Sequence, residues 1–333
     1  FTKYTAVDGT PSLKHAIIDK FRRDNALHYE MNQVLVSVGG KQSSYNLIKS
    51  LINPCDEVII PAPYWVSYPD MVLLADGVPV IVPAGIEQNF KISPAQLEAA
   101  ITDRTRLIFI NSPSNPTGVV YSRAELTALG EVLQKHPNIL IATDDMYEHI
   151  LWTEDPFVNI VNACPELYER SVVLNGVSKA YSMTGWRIGY CGGPAELIAA
   201  MKKTQSQSTS NPCSISQVAA EAALNGDQGC IAPMLKAFKE RHDFVVERLN
   251  AMQGVKCLAS DGTFYAFADF RELIAGNEAV NNDIELADFL LSKAGVALVP
   301  GSAFGAEGYM RISYATSMEM LDQALTRIAE AIQ

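Results

Sequence analysis

The residues best suited to chemistry sit where hydrophobic, strand-like runs give way to turns. Lys179 closes the run Asn175-Gly176-Val177-Ser178-Lys179-Ala180, directly after the apolar segment Ser171 to Asn175. An ammonium there is poorly solvated. A partly desolvated lysine has a lowered pKa and can form a Schiff base. Asp144 ends another apolar run, Ile139 to Asp144. A carboxylate in that place needs a cationic partner, because burying it unpaired is costly, and a pyridinium N–H would serve. A helix N-cap would use the same residue equally well. Arg187, within Met183-Thr184-Gly185-Trp186-Arg187-Ile188-Gly189-Tyr190, is expected at the start of a strand running to Cys191, where a guanidinium suits a phosphate. Val38-Gly39-Gly40-Lys41-Gln42 passes straight from a strand into a helix. Small residues let backbone N–H groups approach an anion there, although a plain strand-to-helix turn has the same sequence. Ser112-Pro113-Ser114-Asn115-Pro116-Thr117-Gly118 is a rigid loop that presents Asn115 or simply turns the chain.

Other readings of these loops fail on single residues. No GxGxxG occurs. Gly39-Gly40-Lys41 is not a Walker loop, because Leu35 stands where the first glycine is required. Gly176 to Ala180 resembles a hydrolase nucleophile elbow except that Ala180 replaces its last glycine. Cys55, Cys164, Cys191, Cys213, Cys230 and Cys257 are scattered and form no CxxC pair. Neither a zinc site nor a disulfide scaffold is expected, and no metal is implied.

The elements that must position these groups follow from periodicity. Strands are predicted at Val34 to Val38, Glu57 to Pro61, Val78 to Val82, Arg106 to Asn111, Ile139 to Asp144, Ser171 to Asn175 and Arg187 to Cys191. Helices are predicted at Gln42 to Ile52, Tyr64 to Ala75 and Arg123 to Lys135. This rhythm predicts an α/β fold with a mostly parallel sheet flanked by helices. From about Asp227 the pattern changes to a long amphipathic helix (Pro233 to Met252), mixed strands (Thr263 to Asp269, Ala297 to Val299, Met310 to Tyr314) and two helices (Ile284 to Ala294, Met318 to Ile332). The expected division is a large domain, residues 1–228, and a smaller C-terminal α+β domain, residues 229–333. Ligands of such open sheets bind at the C-terminal strand ends, where the chemistry-bearing residues already lie. The 333 residues, 48 % apolar and with a net charge of −11, describe an ordinary globular chain poorly suited to nucleic acid or anionic membrane. No apolar run is long enough to span a bilayer.

Taken in order, the glycine loop, Asn115-Pro116-Thr117-Gly118, Asp144 with Tyr147, Ser178-Lys179-Ala180, Thr184-Gly185-Trp186-Arg187 and Arg311-Ile312-Ser313-Tyr314 resemble the class I pyridoxal-phosphate aminotransferases of fold type I. The resemblance is closest to the bacterial aspartate/prephenate aminotransferase branch and covers essentially the whole chain. It implies a seven-stranded sheet in the large domain and pyridoxal 5'-phosphate as cofactor. By resemblance, Lys179 is the Schiff-base lysine and acid/base, and Asp144 pairs with the pyridine nitrogen, making the ring an electron sink. Tyr147 and Asn115 would bond the ring phenolate oxygen, Arg187 with the amides near Gly40 and Lys41 would hold the phosphate, and Trp65 would stack on the ring. Arg311 would bind the substrate α-carboxylate as a bidentate fork. Lys41 would serve the distal carboxylate of a dicarboxylic substrate, or merely cap its loop. Tyr4 would reach the phosphate of a neighbouring subunit, making the active site a homodimer interface. One position departs from many relatives: Gly176 stands where a phosphate-binding serine is common, leaving Ser178 or Gln42 to compensate.

The resemblance therefore implies a cytoplasmic, homodimeric enzyme of amino acid metabolism that transaminates amino acids and 2-oxo acids, L-aspartate with 2-oxoglutarate foremost, by a ping-pong mechanism. Prephenate, aromatic and alanine aminotransferases are the alternatives on the same scaffold. A non-catalytic ligand-sensing domain is the alternative outside enzymology. The chain opens on Phe1 with sequence of mid-domain character, so a preceding segment is expected.

Overall fold

The computed structural model describes residues 2–332. A seven-stranded sheet is built from β1 (Val34–Ser37), β2 (Glu57–Ala62), β3 (Val78–Pro83), β4 (Thr105–Asn111), β5 (Leu140–Asp144), β6 (Ser171–Gly176) and β7 (Gly189–Gly192). Their spatial order is β1-β7-β6-β5-β4-β2-β3. Pairing is parallel from β3 through β6, and β7 runs antiparallel to both β6 and β1. The C-terminal ends of β1, β2, β4, β5 and β6 and the start of β7 therefore share one edge.

Alternation along each strand splits the apolar residues between two faces. On β4, Ile108 and Ile110 join one core and Leu107 and Phe109 the other. The first core is closed by Leu13, Ile17 and Phe21 of the helix Pro11–Asn25, with Leu126 and Leu129 of Arg123–Gln134 and Leu224 of Ser214–Asn225. The second is closed by Leu47 and Ile48 of Gly40–Leu51, Met71 and Val72 of Ser67–Leu73, and Ile198 and Met201 of Ala195–Ser206. Both faces are covered, as a parallel sheet requires.

A four-stranded antiparallel sheet follows, ordered β10-β11-β9-β8, from β8 (Lys256–Cys257), β9 (Tyr265–Asp269), β10 (Val299–Pro300) and β11 (Tyr309–Ser313). Helices Ile231–Asn250, Asp283–Ala294 and Met318–Ala331 cover one face through Val245, Leu249, Leu286, Leu290, Leu325 and Ile328. On the other side Phe267, Phe304 and Tyr309 pack with Phe90 and Val119 of the first unit, so an apolar seam joins the two units. Tyr64 N–H also donates to the Phe304 carbonyl across it, at 3.0 Å.

The helix expected from Tyr64 to Ala75 is shorter, Ser67–Leu73, because Pro63 to Val66 turn the chain into the cavity instead. Arg187 does not begin a strand. It takes the left-handed conformation (φ 54°) after the turn Thr184–Trp186, and β7 begins two residues later.

Candidate active site

The shared strand edge opens into a cavity of about 420 Å³. Gly40, Lys41, Trp65, Asn115, Asp144, Tyr147, Ser178, Lys179, Arg187 and Arg311 all line it. The structure thus brings together every site residue predicted from sequence except Tyr4. Tyr4 is 94 % exposed and lies outside this lining.

Asp144 ends β5 and is buried. Its Oδ2 accepts from the Tyr68 hydroxyl and its Oδ1 from the Met146 N–H at 3.3 Å. Burial pushes its carboxyl above the ordinary carboxylate range, and those two donors together with nearby Lys179 only partly offset this. A carboxylate so placed calls for a cation in the cavity, as the sequence argument required. No regular helix starts at Asp144, so the N-cap alternative falls. Its position is fixed from the next strand, where Asn111 Nδ2 donates to the Asp144 carbonyl at 2.9 Å.

Lys179 follows β6, with its Nζ 5.5 Å from the Tyr147 ring and 5.3 Å from that of Phe264. Burial and the positive field of Arg311 and Arg187 hold its pKa below the usual lysine value, against a small opposing effect of Asp144. Tyr147 is buried, its hydroxyl 3.3 Å from that of Tyr265.

The phosphate end is shaped by close backbone approach. Gly39 has φ +79°, and a Cβ there would stand 2.1 Å from Arg187 Nη2. A Cβ at Gly189 would stand 2.2 Å from the Gly40 nitrogen. Both glycines are needed for the loop to nest against the start of β7 while the helix Gly40–Leu51 points its N-terminus at the cavity. Arg187 Nη1 donates to the Thr184 carbonyl at 3.1 Å, and the residue lines the cavity. Gln42 does not compensate for Gly176. Its side chain is spent on the Val38 N–H at 2.6 Å and on Thr209. Ser178 faces the cavity and remains.

Arg311 comes from β11, on the opposite wall. Its Nη1 donates to Asn115 Oδ1 at 2.9 Å, and its guanidinium lies 4.3 Å from the Tyr265 ring centroid and 4.8 Å from that of Phe304. Its Nε is buried and has no hydrogen-bond partner among the described residues. Asn115 is in turn fixed by its own N–H, which donates to Asn111 Oδ1 at 2.8 Å. Lys41 Nζ sits 5.2 Å from the Trp65 ring.

Sequence reasoning missed Tyr68, Asn111, Tyr265 and Phe304. Tyr68 and Phe304 read as ordinary apolar-face residues, and only the fold turns them toward polar groups. The cavity fits a phosphorylated pyridine ring. Its buried carboxylate wants a cation, its glycine-lined helix start wants an anion, and the Lys179 amine lines the same space.

Residues 1–328 match the sequence family described as aminotransferase class I and II. The aspartate/prephenate aminotransferase of Nitrosomonas europaea is 63 % identical, over 100 % of this chain and 85 % of that protein. That of Cereibacter sphaeroides is 55 % identical, over 98 % and 83 %. The crystal structure of an aspartate aminotransferase from Rhizobium meliloti superposes with a TM-score of 0.96 at 48 % identity, covering 99 % of this chain and 84 % of that one.

Proposed function

The chain belongs to the class I and II aminotransferases and is a pyridoxal-phosphate enzyme, and from that premise we propose that it transfers the amino group of L-aspartate to 2-oxoglutarate. The observation that carries the substrate choice is a pair of cations, Arg311 and Lys41, in the same cavity as Lys179. Each dicarboxylic substrate presents two carboxylates, and a monocarboxylic amino acid would leave one of these cations unmatched.

The bound cofactor supplies an electron sink for the pair released when the Cα–H bond of the amino acid breaks. The protein does the rest. Arg311, packed against the rings of Tyr265 and Phe304 and steered by Asn115, would receive the α-carboxylate in fork geometry. Lys41 takes the distal carboxylate. Together they fix Cα with its hydrogen toward Lys179. Lys179, desolvated and flanked by Arg311 and Arg187, exists as a free base more readily than a solvated lysine, so it can remove that proton from Cα and hold it for delivery two bonds away, beyond the amino nitrogen. Asp144 would pair with the ring nitrogen in its protonated form, a cation that would favour the ionised carboxylate together with the Tyr68 hydroxyl and the Met146 N–H. Tyr147 and Asn115 would hold the ring oxygen, Trp65 would cover the ring face, and Arg187, Ser178 and the Gly40 and Lys41 amides would hold the phosphate.

A second reading adds prephenate as amino acceptor. It is supported by the two relatives above, whose names carry that substrate, and by the fact that prephenate is itself a 2-oxo acid with a second carboxylate. The active form is proposed to be a homodimer in which Tyr4, exposed on its own subunit, reaches the phosphate site of the partner. A cytoplasmic location is supported by the free state of all the cysteines.

The test is the absorbance spectrum of the holoenzyme. Addition of L-aspartate should bleach the long-wavelength cofactor band, with release of a stoichiometric 2-oxo acid. A band that ignores aspartate but responds to L-alanine or L-phenylalanine would overturn the acidic substrate.

A further inference from the structure

Directly behind the turn that carries Asp144 and Tyr147 lies a buried polar cluster with no part in the steps above. The Glu148 carboxylate accepts from Lys20 Nζ, from Asn25 Nδ2 at 2.6 Å and from Asn175 Nδ2 at 2.7 Å. Lys20 also donates to Asn25 Oδ1 at 2.7 Å. Asn175 Oδ1 accepts from the Gly176 N–H at 2.7 Å. These four side chains are 1–4 % exposed. One carboxylate therefore ties together three separate segments: the helix Pro11–Asn25, the turn after β5, and the end of β6 that launches Lys179.

The charged surroundings are mixed. Asp24 lies 3.9 Å from Lys20 Nζ and 3.3 Å from His149 Nε2, and that nitrogen is 3.5 Å from Glu148. Asp145 is near enough to feel the charge of the same carboxylate. Burial raises the Glu148 pKa, but Lys20, His149 and Asn25 more than reverse this and keep it ionised. Ion pairs buried this deeply gain little stability over apolar residues of the same volume. What this one does supply is fixed geometry, because each hydrogen bond has a defined direction and length.

We propose that Glu148 and Asn175 are positioning residues, which set the spacing between the Lys179 turn and the Asp144–Tyr147 turn by bonding to each other beneath the cavity floor. Glu148 is covalently next to Tyr147, and Asn175 holds the amide that begins the Lys179 turn. Neither lines the cavity, so both act through the residues they hold. The inference rests on the aminotransferase reading for its catalytic consequence, but not for its structural one.

Two variants test it, Asn175→Ala and Glu148→Gln. The first cuts the link while sparing the Lys20–Glu148 pair; the second keeps the shape and removes the charge. In the holoenzyme, Asn175→Ala should lower kcat by about 10- to 100-fold, the loss expected when a catalytic group shifts by about 1 Å. KM for L-aspartate should stay within about twofold, since Arg311 and Lys41 keep their contacts. The pH midpoint of the long-wavelength cofactor band should move. In the cofactor-free chain, amide hydrogen exchange over residues 176–179 should quicken relative to the core strands. Glu148→Gln should give the same changes at smaller size. A folded Asn175→Ala enzyme with parental kcat, band titration and exchange would overturn the proposal. So would a lowered melting temperature with those three readouts unchanged, which is the mark of a merely structural role. Should the parental protein itself fail to transaminate, the functional reading falls, and exchange in the cofactor-free chain still decides the positioning role.

Discussion

The two walls of the cavity are built differently. The wall at the strand ends spends its polar atoms within the protein: Asp144 accepts from Tyr68 and Met146, and Asn111 is shared between the Asp144 carbonyl and Asn115. The wall contributed by β11 holds its cation mainly with rings. Among the described residues, Arg311 has one side-chain hydrogen bond, two aromatic neighbours and a buried Nε with no hydrogen-bond partner. The first wall is pre-organised and gains little by waiting for a ligand. The second keeps hydrogen-bonding capacity in reserve in a desolvated place, where a carboxylate is bound most strongly. Chemistry belongs to the first wall, and recognition of the α-carboxylate to the second.

That division can be broken by kinetics. Lys179→Ala should cost the most, lowering kcat by about 10³-fold or more, since it deletes the acid/base outright. Its melting temperature should stay close to the parental one, because the contacts of Lys179 Nζ are with the rings of Tyr147 and Phe264, and no buried polar group depends on it for a hydrogen bond among the described residues. Arg311→Ala should act on the other wall, lowering kcat/KM for L-aspartate by about 10²- to 10³-fold, chiefly through KM. If the arginine variant loses kcat at unchanged KM, the two walls do not divide the work. Lys41→Met sharpens the same point. It should cost about tenfold with L-aspartate and little with L-alanine, because only the former has a carboxylate for it to meet. Tyr68→Phe should lower kcat by about tenfold, the worth of one hydrogen bond to a charged group. Burial already raises the Asp144 pKa, so losing a donor raises it further and moves activity loss to higher pH on the acid side.

The same contrast explains what could be read from sequence. Lys179 and Asp144 announce themselves because each stands at or just after the end of a hydrophobic strand, where a polar residue is out of place, and Gly40 and Asn115 lie in the loops that follow such strands. Most strands fell where that pattern put them, although β7 starts at Gly189 rather than Arg187 and β8 was not foreseen. The reversal of β7 was not legible, because a four-residue strand, Gly189–Gly192, carries no mark of its direction. Nor was the left-handed turn at Arg187, since nothing in its own side chain favours that backbone. Arg311 reads as a surface salt bridge on an isolated strand and gains its meaning only from the family resemblance. Tyr68, Phe304, Lys20 and Glu148 were silent because their partners lie at long sequence separations, and no local periodicity encodes them. The helix Pro11–Asn25, which carries Lys20, also escaped the reading, although its Thr10 cap and its Pro11 at N1 are regular start signals.

The smallest expected effect probes the foundation of the strand-end wall without touching the cavity. Asp145 is fully buried, accepting from Thr143 Oγ1 at 2.6 Å and from Asn159 Nδ2 at 2.8 Å. Burial, reinforced by the charge of Glu148, pushes its carboxyl up to about 7. The folded chain therefore holds this proton more tightly than the unfolded chain does, between roughly pH 4 and pH 7. Stability falls with rising pH wherever the native state binds more protons, so this group's contribution is complete below pH 4 and is lost as pH rises through 7. Glu148, with its pKa lowered, works in the opposite sense and only at more acidic pH. Buried His242, whose pKa is also lowered, opposes Asp145 below about pH 6.5. The comparison to make is thus a difference: melting temperature against pH for the cofactor-free parent and for Asp145→Asn. The substitution should remove a decline of a few degrees between pH 4.5 and 7.5, and leave kcat at pH 8 within about threefold. Parallel curves would mean that Asp145 titrates alike folded and unfolded, and that the floor of this wall is wetter than its hydrogen bonds imply.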